Sequence, residues 1–335
     1  MFRQDRTNPS TAVSNWRGRH DASKGWPSTA VSSWLNGGLF GAAAFTAAAG
    51  YFGGGQAASD VTTVDKFLFS DDSRTTLSTG LSAGRRMLAG MASAVAGYFG
   101  GGRETATTYV TTVDRFLFSD DSRTTLGTGL SAATNQLAAM ASTVAGYFGG
   151  GSVAGSGVAT VDRFLFSDDS RTTLGTGLSA VAMNPTGMAS SVAGYFGGGS
   201  SGGTLVATVD RFLFSNDSRT TLGTGLSTAR WTMGGMASSV AGYFAGGFVD
   251  GVGAVSTVDR FLFSNDSRTT LGTGLSAAAR ELAGMASSDA GYLGGGAGPV
   301  ATVDRFLFSD DSRTTLGTGL SAATKTPAAM AFKGA

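Results

Sequence analysis

The side chains able to do chemistry in this chain are few and repetitive. Aspartates come in pairs at Asp71–Asp72, Asp120–Asp121, Asp168–Asp169 and Asp310–Asp311, with Asn–Asp versions beginning at Asn216 and Asn265. Adjacent carboxylates suggest calcium, but a calcium loop alternates its acidic ligands and ends in a distant Glu. Each pair here lies in "SDDS" or "SNDS", where Asp, Asn and Ser side chains satisfy a tight turn. The two "NDS" triplets match a glycosylation acceptor, a match without weight in a chain that shows no secretion signal. Arg103, Glu104 and Tyr109 place a cation, an acid and a phenol close together in sequence, as a glycosidase with a Tyr nucleophile would need. No other copy of the surrounding repeat supplies a matching set, and Glu occurs only at Glu104 and Glu281. His20 is the sole histidine and there is no cysteine, which excludes metal centres built on several His or Cys and ordinary His-based triads. The expectation is a protein with no catalytic residues, no metal and no cofactor.

A second candidate for chemistry is the glycine-ended hexamer "GYFGGG". It occurs at 50–55, 97–102, 146–151 and 194–199, and as "GYFAGG" at 242–247 and "GYLGGG" at 291–296. A phosphate-binding loop is needed once, whereas a structural unit is needed once per copy. Lys plus Arg number 24 against 23 Asp plus Glu, a net charge of +1 that offers no broad attraction for nucleic acid or anionic membrane. The 53 glycines come with 22 Phe and a hydrophobic fraction of 41%, a composition that can build a core rather than stay disordered. The stretch 25–59 carries no charge but is dominated by Gly and Ala, too weakly apolar for a membrane span.

These residues sit in a repeat. After each hexamer come a short insert and a near-constant block, "TVDRFLFSDDSRTTLGTGLSAA" in the second copy, whose Asp recurs at Asp65, Asp114, Asp162, Asp210, Asp259 and Asp304. Repeats of this length suggest propeller blades or helical solenoids. "TVDRFLF" is β-branched and aromatic between turn formers, and "RTTLGTGL" is Thr-rich and ends in glycines. "AGYFGGG" has the length of a short strand, and "LAGMAS" is a further one whose small residues suit strands that crowd together. No window keeps the apolar spacing of a helix. The fold read from these features is all-β: a six-bladed β-propeller of four-stranded antiparallel blades over 41–335, behind an irregular N-terminal arm at 1–40. The charges of "VDR" and "SRT" are expected to pair or hydrogen-bond between blades.

"AGYFGGG … TVDRFLFSDDSRTTLGTGLSAAR" resembles a kelch repeat over about 41–332, although the Trp usual in a kelch fourth strand is missing from "SRTTL". "SDDSRTTL" also resembles the Asp-box of sialidase-like propellers, with Arg74 and Leu77 in place of its Gly and Trp. Either resemblance implies a propeller, and the copper-oxidase chemistry of some kelch propellers needs Cys and His ligands absent here. More specifically, the Gly-, Phe- and Ser-rich repeats are similar to those of tailed-phage virion proteins, which implies a tail-fibre or spike component.

The copies differ in two places, the insert between hexamer and "TVD" and the segment after "GLS". In a four-stranded meander both lie on one face of the disc, and the constant "SDDSRTT" and "MASSVAGY" connections lie on the other. The variable face is expected to recognise a host-surface glycan or a protein through Arg85, Arg86, Arg103, Glu104, Tyr109, Asn135, Gln136, Asn184, Arg230, Trp231, Phe248, Asp250, Arg280, Glu281 and Lys325, with Trp231 beside Arg230 foremost. Neutral variation of exposed loops is the alternative. In the arm, "PSTAVSNW" and "PSTAVSSW" echo one another, and Trp16, Trp26 and Trp34 suit docking on other virion or filament subunits. The resulting expectation is an oligomeric virion protein or, alternatively, a structural subunit of an extracellular filament or coat, with a sialidase-like glycosidase as the third and most distant reading, and with neither nucleic acid nor membrane as partner. Both Gly41–Ala47 and the segment "PAAMAFKGA" read as inner strands, leaving open which of them closes the ring.

Overall fold

The structure is a computed structural model and describes residues 49–331. These form six four-stranded antiparallel sheets, the blades of a β-propeller. The second blade shows the pattern: inner strand Ala89–Ala92, then Ala96–Gly100, Val113–Leu117 and the outer Arg123–Thr125. The "GMAS" segments are the inner strands, around the axis, and the hexamers supply the second strands. Among the described residues no helix is long and apolar enough to cross a membrane. Arm residues 1–40, with Trp16, Trp26 and Trp34, and Gly41–Ala47 lie outside the described residues.

The first blade takes its inner strand from the other end of the chain. Ala328–Ala331 pairs antiparallel with Ala49–Gly53, placing Met330 opposite Tyr51. The C-terminal segment therefore closes the ring.

Each blade is sandwiched between two others, so its middle strands bury both faces. Ala96–Gly100 is buried throughout, and Val113, Asp114 and Phe116 have almost no exposure. Phe99 and Phe116 meet edge to face at 5.9 Å and pack into the first blade's apolar cluster with Tyr51 and Leu88. Burial of each such ring contributes roughly 1.5–3 kcal/mol, enough to offset many flexible glycines. Two hexamer positions show why glycine is needed. A Cβ at Gly97 would overlap the Met330 Sδ of the neighbouring inner strand. Gly102, at φ 98°, turns the chain out of the blade in a conformation that disfavours other residues.

Candidate recognition face

The constant face is held by side chains. The "SDDS" Asp pairs divide two tasks, of which sequence reasoning gave only the first. Asp120 Oδ1 accepts the Ser122 amide at 3.0 Å, closing the turn. The Ser122 hydroxyl and then this amide bond hold the Asp120 carboxyl below its ordinary range. Asp121, at φ 56°, reaches instead to the preceding blade, where the Tyr51 hydroxyl donates to it at 2.8 Å and Lys66 pairs with it at 2.8 Å. The same clamp recurs as Tyr98–Asp169–Arg115, Tyr147–Asp217–Arg163, Tyr195–Asp266–Arg211, Tyr243–Asp311–Arg260 and Tyr292–Asp72–Arg305. Burial and then the carboxylate raise each phenol, Tyr147 to about 12. Phe118 stacks on Tyr51 at 5.4 Å, and the equivalent Phe does so at every junction.

The charges expected to join blades do so in part. Asp114 Oδ2 accepts from the Ser82 amide and hydroxyl, which follow the first blade's outer strand, at 2.9 and 2.8 Å. Arg123 of "SRT" instead pairs with Asp114 of its own blade at 3.5 Å.

On the variable face the two connections of each blade meet through backbone. Arg86 and Arg103 form a β-bridge, as do Asn135 and Ser152, Trp231 and Phe248, and Gln56 and Lys325, while Arg103 and Tyr109 bridge within one insert. Nearer the axis, six residues form a closed ring of main-chain bonds. Gln136 N–H donates to Met87 O, Asn184 to Gln136, Thr232 to Asn184, Glu281 to Thr232, Thr326 to Glu281 and Met87 to Thr326, at 2.8–3.4 Å. All six have positive φ, between 51° and 62°. Their side chains, all half-buried, differ from blade to blade.

This frame sorts the residues expected to make contacts. Arg85 and Arg230 are corrected: both are wholly buried between blades and take no part in a surface. Arg85 Nη2 donates to Asp114 at 2.6 Å, and Arg230 Nη2 to Asp259 at 3.1 Å. Burial lowers both guanidinium groups from their ordinary value, opposed by those carboxylates. Burial also opposes ionisation of Asp114, but the Ser82 amide, Thr125 and Arg85 outweigh it and hold the carboxyl below its ordinary range. Asn135 is buried too, at 3%, its Nδ2 facing Met87 Sδ at 3.7 Å. Arg86 is tied to Asp60 at 2.7 Å. Gln136, Asn184 and Glu281 belong to the axial ring. Arg103, Glu104, Tyr109 and Lys325 are half-buried on the connections, and Asp250 is exposed at a hairpin tip.

Trp231, next to the buried Arg230, stays at the surface and joins two other expected residues. Its ring lies 6.5 Å from that of Phe248, over which the Arg280 guanidinium sits at 4.8 Å. Phe248 and Arg280 border an open groove of about 360 Å³ with Gly253, Ala254, Ala278 and Ala297. A guanidinium stacked on an aromatic ring offers its own plane for stacking and its N–H groups for hydrogen-bond donation to a planar or ring-shaped ligand. Among the described residues no group of three or more His, Asp or Glu is placed to hold a metal. No protein-family model matches the chain, and no curated protein is significantly similar to it.

Proposed function

We propose that the protein is a non-enzymatic recognition subunit of the tail-fibre or spike type, carried on a virion, that uses the variable face of its propeller to engage a host-surface glycan or protein. The observation that carries this reading is the Phe248–Arg280 pair, which borders a groove on the one face where the six copies differ, with Trp231 packed beside Phe248. A rigid scaffold that presents variable loops is a common basis for binding. The virion setting draws on the likeness of the repeats to those of tailed-phage virion proteins and kelch propellers, and on the tryptophans of the arm. A glycan array probed with the full-length protein tests the reading. Specific glycans should be retained and should be lost on Phe248→Ala; retention unchanged by that substitution sinks the groove as the site.

A second reading, a subunit of a filament or coat, is favoured by the opposite face. Val95, Val144, Val192 and Val240 stand there 58–64% exposed. They adjoin Ala94, Thr143, Ser191 and Ser239 at the mouth of an axial cavity of about 570 Å³, lined by the inner-strand methionines Met91, Met140, Met188, Met236, Met285 and Met330. Such an apolar collar suits contact with another subunit. Electron microscopy with mass determination, on full-length protein and on a variant lacking residues 1–40, separates the cases. Assembly by the full-length chain alone makes the arm the connector, and assembly by both makes it the collar. Monomeric discs from both remove the assembly reading and leave recognition by the variable face.

A further inference from the structure

The connection leading to each inner strand has one position occupied in chain order by Arg85, Thr134, Ala182, Arg230, Ala279 and Thr324. Where it is arginine, the protein shows how it holds a guanidinium between blades. Arg85 donates through Nη1 to the carbonyls of Gly101 and Thr112, both at 3.0 Å, and through Nη2 to Asp114. Arg230 donates through Nη2 to the Phe244 carbonyl and to Asp259, both at 3.1 Å.

Between the third and fourth blades the position is Ala182, and the walls remain without the occupant. A cavity of about 80 Å³ is bounded by Leu178, Pro185, Phe196, Gly198, Thr208 and Asp210. Gly198, Thr208 and Asp210 are the counterparts of Gly101, Thr112 and Asp114. Asp210 Oδ2 accepts from the Ser179 amide and hydroxyl, just as Asp114 accepts from those of Ser82 while still receiving Arg85. A carboxylate has lone pairs for this additional donor. Asp210 is 4% exposed where Asp114 and Asp259 are 0%, the difference a covering arginine makes. Between the second and third blades, Thr134 leaves only about 20 Å³, close to the ~15 Å³ that one water needs. The larger cavity opens on the variable face beside Ser179, Ala180 and Val181, all exposed.

We infer that the cavity at Ala182 is a binding site for a guanidinium carried on a short alkyl stem. The planar fork meets the Gly198 and Thr208 carbonyls and the Asp210 carboxylate, and Leu178, Pro185 and Phe196 cover the stem. Asp210 Oδ1 already faces Arg219 of its own blade at 3.6 Å, so the ligand's charge is met at Oδ2. An ammonium fills fewer of the acceptors, and a neutral alcohol brings no charge to that oxygen. This site stands whether or not the Phe248 groove binds glycan.

The test is a titration of the full-length protein with n-propylguanidinium, n-propylammonium and n-propanol, followed by ligand-observed NMR. The guanidinium should saturate one site, with the ammonium at least about tenfold weaker and the alcohol silent. Ala182→Arg, which supplies the missing side chain, should abolish binding, and Ala182→Leu should do so by filling the space. Absence of saturable binding overturns the inference, as does binding of equal strength in both variants or to propanol. A capped Gly-Arg-Gly peptide then identifies the source: competition with n-propylguanidinium points to an arginine of a partner chain, and its failure points to a free guanidino compound.

Discussion

The two faces of the propeller are built on different chemistry, and the difference explains where the repeats vary. On the constant face each junction depends on a named set of side chains: a phenol, a carboxylate, a cation and a stacking Phe. Replacing any of them removes a bond, so those residues recur in all six copies, with Lys66 for Arg as the one change. On the variable face the ring through Met87, Gln136, Asn184, Thr232, Glu281 and Thr326 is closed by main-chain groups. Backbone bonding leaves side-chain identity free. Variation on that face therefore carries little structural cost, and the six copies can diverge towards a ligand without loosening the disc.

The largest test of this contrast lies at the junctions between blades. Asp114→Ala would strand the buried Arg85 guanidinium and should destabilise the protein by roughly 3–5 kcal/mol in denaturant unfolding. Asp162→Ala strands no buried arginine and loses the Ser131 and Thr173 hydrogen bonds, a smaller loss of about 1–3 kcal/mol. Equal losses would remove the special standing of Arg85. Next in size, Tyr147→Phe deletes only the hydroxyl that donates to Asp217 and should cost about 1.5 kcal/mol.

The same clamps predict an alkaline limit. Unfolded tyrosine ionises near pH 10, whereas the folded phenols are held above that by burial and by their aspartates, Tyr147 to about 12. The folded state then binds more protons than the unfolded chain. Stability contributed by the clamps is complete below about pH 10 and falls as pH rises towards 12. Thermal midpoints measured from pH 8 to 12 check the slope, which Tyr147→Phe should reduce. On the variable face the effects should be smallest. Arg280→Ala should change stability by less than about 1 kcal/mol while weakening any ligand held by the groove, which it lines.

How much of this was legible in the sequence follows the same division. The recurrence of "VDRFLF", the Thr-rich outer strand and the hexamer's length gave the blade, and the parity of a four-stranded meander assigned the two faces. The second Asp of each turn reads in sequence only as turn chemistry, because its partner Tyr lies some 70 residues away on another blade. Arg85 and Arg230 read as surface residues because arginine in a variable loop ordinarily faces water. The signal that could have found them is that only small residues share their position, as Thr134, Ala182, Ala279 and Thr324 do. The axial ring left no mark in residue type, since positive φ is adopted there by Met, Gln, Asn, Thr and Glu alike.

Closure by Ala328–Ala331 makes completion of the disc a late event in the life of the polypeptide. During synthesis the second strand of the first blade, Ala49–Gly53, emerges early and stays without its inner neighbour until residue 331 has left the ribosome. For that interval five blades can assemble while the first shows a bare strand edge, a template for unwanted pairing. A product truncated before residue 328 would keep that edge permanently, and a second truncated copy could pair its own bare Ala49–Gly53 edge with it. Premature termination would therefore yield joined or aggregated chains rather than a slightly smaller propeller.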